Sequence, residues 1–263
     1  MSEASGTRID PRAVVDPAAR VGEGVRIGPY CVVGAGVEIG DRCVLESHVT
    51  VRGGTVLGPD NVVAPMAAIG GDPQDLKYRG EESRLVVGSR NRIREFVTLN
   101  RGTAGGGGVT SIGDDNLVMA YCHVAHDCRV GNRSILGNAT TLAGHVEIGD
   151  DANVGAFTGI HQFCRVANHA FIGGYSVVTQ DALPWVITVG NRATTHGINL
   201  VGLKRKGYPE ETIEAIKACY TTLFRSKLLL KDAMEKVERE LGRFEEVRYF
   251  LDFVRTSERG VCR

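Results

Sequence analysis

An aliphatic residue returns at every sixth position of this chain, and nothing else in the sequence constrains the fold so strongly. From Ile9 the series runs through Val15, Val21, Ile27, Val33, Ile39, Leu45, Val51, Leu57, Val63 and Ile69. It resumes at Val87, Ile93 and Leu99, then runs from Ile112 through Val118, Val124, Val130, Leu136, Leu142, Ile148, Val154, Ile160, Val166 and Ile172 to Val178. All 26 positions hold Ile, Leu or Val, which make up only 63 of 263 residues, so chance placement is excluded. A period of six is neither the 3.6 of a helix nor the two of an open strand. It fits a solenoid in which six residues form one short strand and one corner, and three such units close a coil of eighteen. The 26 units give between eight and nine coils. Each inward aliphatic stacks on its counterpart a coil away, contributing about 1.5–3 kcal/mol of burial.

The fourth residue after each aliphatic is usually small, as at Ala13, Ala19, Cys31, Cys43, Cys122, Cys128, Ser134, Thr140, Ala152 and Cys164. Five of the seven cysteines fall on this position, so they read as small buried side chains rather than ligands. The odd count and the lack of a CxxC motif agree: no metal site and no closed disulfide set is expected. Lys plus Arg and Asp plus Glu both number 31. That balance excludes the basic surplus of a general nucleic-acid or membrane-surface binder. No apolar run approaches a membrane span, so stable membrane insertion is not expected. The opening MSEASGTRID has no apolar signal core, and a cytoplasmic protein is expected.

The period is interrupted twice, near 71–86 around Pro73-Gln74-Asp75-Leu76-Lys77-Tyr78, and over the glycine-rich 103–111. Loops that leave a rigid scaffold are natural places for substrate contacts. The repeat stops at Pro184. The expected organisation is a β-helix over 1–185, a connector over 186–208 and an α-helical cap over 209–263. Pro209-Glu210-Glu211 opens a helix bearing Ile213, Ile216, Tyr220 and Leu223 at three- and four-residue spacing.

A solenoid filled with aliphatics has no internal pocket, so chemistry must sit on its outside. Among the histidines, His123, His126, His145 and His161 lie on consecutive coils. His126, Gly144 and Gln162 follow one another at eighteen residues and stack on one edge; Asp127 and His145 do the same. Folding needs no such polar column. Neutral imidazole near pH 7 suits removal of a proton from a nucleophile attacking a thioester, and an adjacent carboxylate can orient it.

The repeat resembles the left-handed parallel β-helix of the hexapeptide-repeat acyltransferases, and the hand is taken from that resemblance. Such proteins typically form parallel trimers with sites between subunits. Carbonic anhydrases sharing the solenoid hold a metal with histidines five residues apart, a spacing this chain lacks. Several stretches resemble the acyl-carrier-protein–UDP-N-acetylglucosamine O-acyltransferases of lipid A synthesis. They are Pro73 to Tyr78, Gly88-Ser89-Arg90-Asn91-Arg92-Ile93-Arg94-Glu95, Val124-Ala125-His126-Asp127-Cys128, Ile160-His161-Gln162-Phe163-Cys164 and Gly202-Leu203-Lys204-Arg205.

This resemblance implies transfer of a 3-hydroxyacyl chain from acyl-carrier protein to the glucosamine 3-position of a UDP-sugar, by a homotrimer. No resident cofactor is implied, since the acyl group travels on the carrier's phosphopantetheine. It makes His126 the general base, Asp127 its orienting partner and the Gly144 N–H the oxyanion donor. Asp75 and Lys77 would reach across to a neighbouring subunit's site. His123, His145, His161 and Gln162 would line the sugar and acyl positions, and Asn199, Arg205 and Lys206 would bind the nucleotide and its phosphates. Gly174 aligns with the residue that limits chain length, and glycine there resembles the long-chain members. Asn100 stands where well-known members carry histidine, and Val201 where they carry a carboxylate. Both departures admit a 3-amino acceptor and an amide product.

Three other functions fit parts of the sequence. The sister N-acyltransferase of the same pathway carries an additional N-terminal uridine-binding domain, for which a repeat beginning at Ile9 leaves no room. A non-catalytic trimeric scaffold would make His126 dispensable. An acetyltransferase using coenzyme A would not call for the helical cap.

Overall fold

The computed structural model describes residues 6–263. Parallel strands, most of them two residues long, stack into three sheets that form the faces of a triangular prism, a left-handed parallel β-helix. One coil shows the pattern. Leu117–Val118 lies in the first sheet, His123–Val124 in the second and Arg129–Val130 in the third, and Ile135–Leu136 returns to the first. Register is fixed at eighteen residues: Val118 pairs with Leu136, Val124 with Leu142 and Leu142 with Ile160. The ladder aliphatics from Ile27 to Val178 are buried, while Ile9 at the N-terminal end is 45% exposed.

Short strands leave the direction change to the corners. Among the described residues, nineteen other than glycine take positive φ, almost all at corners, including Tyr121, Asp127, Arg133, His145 and Phe163. The left-handed conformation costs an L-residue about 1–2 kcal/mol; the stacking of each corner on the next offsets it. Phe96 stacks on Tyr121 with centroids 4.9 Å apart, and Phe157 on Tyr175 at 5.0 Å. The thiols of Cys31, Cys43, Cys122 and Cys128 donate to carbonyls of the following coil. All seven cysteines are buried and unpaired, and burial pushes the Cys128 thiol up to about 12. An asparagine ladder continues the same position at the corner between the third and first sheets: the N–H of Asn91 donates to Asn61 Oδ1, and that of Asn116 to Asn91 Oδ1.

Both interruptions fall at the corner between the second and third sheets. The first lies between strands Ala68–Gly71 and Arg84–Val87, the second between Thr98–Asn100 and Val109–Ile112. Across them the register lengthens, Val62 pairing with Arg92 and Arg92 with Leu117, yet every ladder stays in line. The two loops are joined through Arg101, which pairs with Asp72 and donates to Tyr78 Oη at 3.2 Å and to the Gly53 carbonyl at 3.1 Å.

Residues 186–208, expected as a connector, carry ordered structure. Val186–Val189 joins the first sheet beside Phe171–Ile172, and Thr194–Ile198 folds back against it antiparallel. The hexad period ends before this hairpin, so the repeat alone does not reveal it. Four helices follow: α1 (Leu200–Arg205), α2 (Glu210–Phe224), α3 (Leu230–Leu241) and α4 (Glu245–Arg255). They enclose a second core in which Trp185 and Leu183 meet Leu203, Ile216, Leu223, Val247 and Phe250. No helix among the described residues is long and apolar enough to cross a membrane.

Candidate active site

The corner between the second and third sheets carries the polar column directly above the two insertions. His126 and Asp127 form one corner, Gly144 and His145 the next, and Gln162 and Phe163 the one after. Asp127 sits at φ 60°, and its N–H donates to Thr110 Oγ1 at 2.8 Å, which turns its side chain back along the corner. His126 Nδ1 and Asp127 Oδ2 are 2.8 Å apart. A carboxylate there accepts a hydrogen bond from Nδ1–H, the tautomer that leaves the lone pair on Nε2.

Asp127 Oδ1 accepts the Thr103 N–H at 2.8 Å, and Oδ2 accepts the Thr103 hydroxyl at 2.6 Å. Burial pushes the Asp127 carboxyl up, but hydrogen bonds from Thr103 and His126 outweigh it and hold it below the ordinary carboxylate range. His145 Nε2 lies 3.7 Å from Asp127 Oδ2, and its ring stacks on Phe163 at 4.4 Å. Burial lowers the His145 pKa against the opposing pull of Asp127. His126, Asp127 and His145 bring ligand-type atoms within 4.8 Å of one another. Asp127 accepts three hydrogen bonds within this cluster, one from His126 and two from Thr103.

Gly144 explains how the His126 imidazole and the next coil's backbone come so close. A methyl on its Cα would lie 2.6 Å from Cε1 and 2.8 Å from Nε2 of His126. Corner geometry leaves the N–H of the first turn residue without a backbone partner. At the corner between the third and first sheets those N–H groups are taken by side chains: Asp114 N–H donates to Asn132 Oδ1, and Asn132 N–H to Asp150 Oδ1. The Gly144 N–H has no such partner among the described residues.

The other sequence-selected residues divide into those at this corner and those away from it. His123, one strand earlier, meets Thr98 Oγ1 at 2.7 Å through Nδ1, and burial followed by repulsion from His126 lowers its pKa. Asn100 is buried, and its Oδ1 has no hydrogen-bond partner among the described residues. His161 and Gln162 are exposed two coils above His123 and His126. Gly174 is exposed one coil above Ala156, whose carbonyl a methyl on Gly174 would meet at 3.1 Å. Asp75 and Lys77 stand on the first insertion, at the corner between the second and third sheets, and Asp75 favours the charged form of His145.

Asn199, Arg205 and Lys206 lie elsewhere. Asn199 caps α1 by accepting the Gly202 N–H at 2.9 Å. Lys206 Nζ is 2.5 Å from Asp151 Oδ1, at the corner between the third and first sheets. Thr103 was not legible as a site residue: it stands 24 positions from Asp127 across an insertion that breaks the repeat.

The chain matches the family described as Udp N-acetylglucosamine O-acyltransferase, Domain 2, over residues 181–262, and that of bacterial transferase hexapeptide repeats over 18–53 and 110–144. An acyl-[acyl-carrier-protein]–UDP-N-acetylglucosamine O-acyltransferase of Thermodesulfovibrio yellowstonii is 46% identical over 255 residues, 97% of this chain and 99% of that protein. The solved UDP-N-acetylglucosamine acyltransferase of Francisella novicida superposes with a TM-score of 0.94 at 40% identity, over 97% of this chain and 94% of that one. The Arabidopsis UDP-N-acetylglucosamine acyltransferase does so with a TM-score of 0.87 at 35% identity, over 97% and 100%. Likeness at this level along nearly the whole chain, on the same coil and cap, places the protein in the UDP-N-acetylglucosamine O-acyltransferase family.

Proposed function

We propose that this chain transfers a 3-hydroxyacyl group from acyl-carrier protein to the glucosamine 3-position of UDP-N-acetylglucosamine, the first step of lipid A synthesis, with His126 as general base. The observation that carries the reading is the 2.8 Å His126–Asp127 pair, whose imidazole lies against the backbone of Gly144. In the reaction, Nε2 takes the proton of the 3-hydroxyl as its oxygen attacks the thioester carbonyl. Asp127 steadies the imidazolium. The carbonyl oxygen becomes an oxyanion held by the Gly144 N–H, a type of donor whose loss costs about 2.7–4 kcal/mol in other enzymes. Collapse re-forms the carbonyl, breaks the C–S bond and expels the carrier's thiolate, which takes the proton back from His126. The products are ester and free thiol, and no resident cofactor is called for.

Within this reading, His123, His145, His161 and Gln162 line the sugar and acyl groups, and Asp75 and Lys77 reach across to a neighbouring subunit's site. Gly174 leaves the acyl groove open for a longer chain. Asn199, Arg205 and Lys206 bind the nucleotide. The last group supports a homotrimer. Lys206 sits against Asp151 at a different corner of the prism from His126, and a second copy supplying one of them would bring both to one substrate. A 3-amino acceptor is the second reading, admitted by the unpartnered Oδ1 of Asn100, which can accept an N–H as well as an O–H.

The deciding experiment measures transfer of labelled 3-hydroxyacyl groups from carrier protein to the 3-hydroxy and 3-amino UDP-sugars, by wild type and His126→Ala. Wild-type transfer to the hydroxyl acceptor, reduced about 10²–10⁴-fold in the variant, is expected. Transfer only to the amine selects the second reading, and no transfer to either leaves a binding scaffold.

A further inference from the structure

Asp127 is gripped by the second insertion as firmly as it grips His126. Thr103 supplies both the N–H to Oδ1 and the hydroxyl proton to Oδ2, at 2.8 and 2.6 Å, and the two residues are 7% and 6% exposed. The Gly106 N–H donates to Thr103 Oγ1 at 3.2 Å, which occupies an acceptor direction of that hydroxyl and leaves its proton for the carboxylate. Gly106 packs so closely that any side chain on it would collide with the Asp127 carboxylate. The loop is braced in turn by the first insertion, since Glu81 accepts the Ala104 N–H at 3.5 Å and Arg101 pairs with Asp72.

We infer that Thr103 is a positioning residue for acyl transfer: its N–H and hydroxyl fix the rotation of the Asp127 carboxylate so that Oδ2 meets His126 Nδ1. The inference rests on the reading of His126 as general base. The terminal torsion of an aspartate is broad and roughly two-fold, so an untethered carboxylate would wander relative to the imidazole. Two charge-assisted bonds from one residue, at both oxygens, remove that freedom. Gly106 then has a purpose, because only a residue without a side chain lets the loop close over the carboxylate, while Gly107 and Gly108 are called for by positive φ.

Thr103→Val deletes the hydroxyl and keeps the shape. It is expected to lower kcat between about ten- and a hundredfold, with KM for the UDP-sugar within about twofold. Thr103→Ser should restore most of the loss. The fall in rate on the acid side should begin at higher pH in the valine variant, because a carboxylate released from its donors binds a proton more readily. In an Asp127→Asn background, which keeps a residue tolerant of the left-handed corner, Thr103→Val should add less than about twofold. A loss that serine does not rescue, or that is equally large in the Asp127→Asn background, marks a merely structural role and overturns the inference. A Thr103→Val enzyme with wild-type kcat and pH profile, alongside inactive His126→Ala, overturns it alone. Activity surviving in His126→Ala overturns the base reading and this inference with it.

Discussion

At Gly144 the missing side chain lets the His126 ring of one coil lie against the backbone of the next, where the proposed reaction would take place. No positive φ demands glycine there; the demand comes from the His126 ring, 2.6 Å from where a methyl would stand. Gly144→Ala is therefore a change the backbone accepts and the imidazole does not. The expected result is a loss of about a hundredfold in kcat/KM from displacing the base, with a thermal midpoint close to that of wild type. Steady-state kinetics beside a melting curve check both halves. The eighteen-residue spacing makes His126, Asp127, Gly144 and His145 readable as one column from the sequence alone. Thr103 is unreadable for the opposite reason: its partner is set by how an insertion folds outside the eighteen-residue register, and no period reports that.

The elements themselves are two-residue strands that have no stability alone and exist only as rungs. From Ile27 to Val178 each rung buries one ladder side chain, as Leu142 is buried between Val124 and Ile160. Leu142→Ala should cost about 2–5 kcal/mol, the range for deleting a buried leucine, measured by urea unfolding. The regularity that makes one such change costly also makes the solenoid legible, because the inward position must be aliphatic every sixth residue. Where the chain leaves that rule, prediction weakens. The Asn61–Asn91–Asn116 ladder escapes notice because the insertions stretch its spacing to 30 and then 25 residues. The hairpin of Val186–Val189 and Thr194–Ile198 escapes because it pairs antiparallel, outside the coil.

At the scale of the whole molecule, the separation of Lys206 and Arg205 from the His126 corner makes a mixing experiment decisive. His126→Ala and Arg205→Ala chains, each inactive or nearly so alone, are expected to recover activity when coexpressed. Random assortment in a symmetric trimer leaves roughly a quarter of the interfaces with both residues intact. Recovery to that level, with an ultracentrifuge mass of three chains, supports sites built between subunits; no recovery would show that each chain completes its own site.

Both departures from the hexad occur at one corner, on neighbouring coils, and the rungs above and below them remain in register. Loop length at that edge is thus uncoupled from the core. The prism behaves as a rack whose slots accept segments of different size without being re-machined, so natural or engineered change of substrate can proceed by exchanging two loops while the ladder that holds them is left untouched.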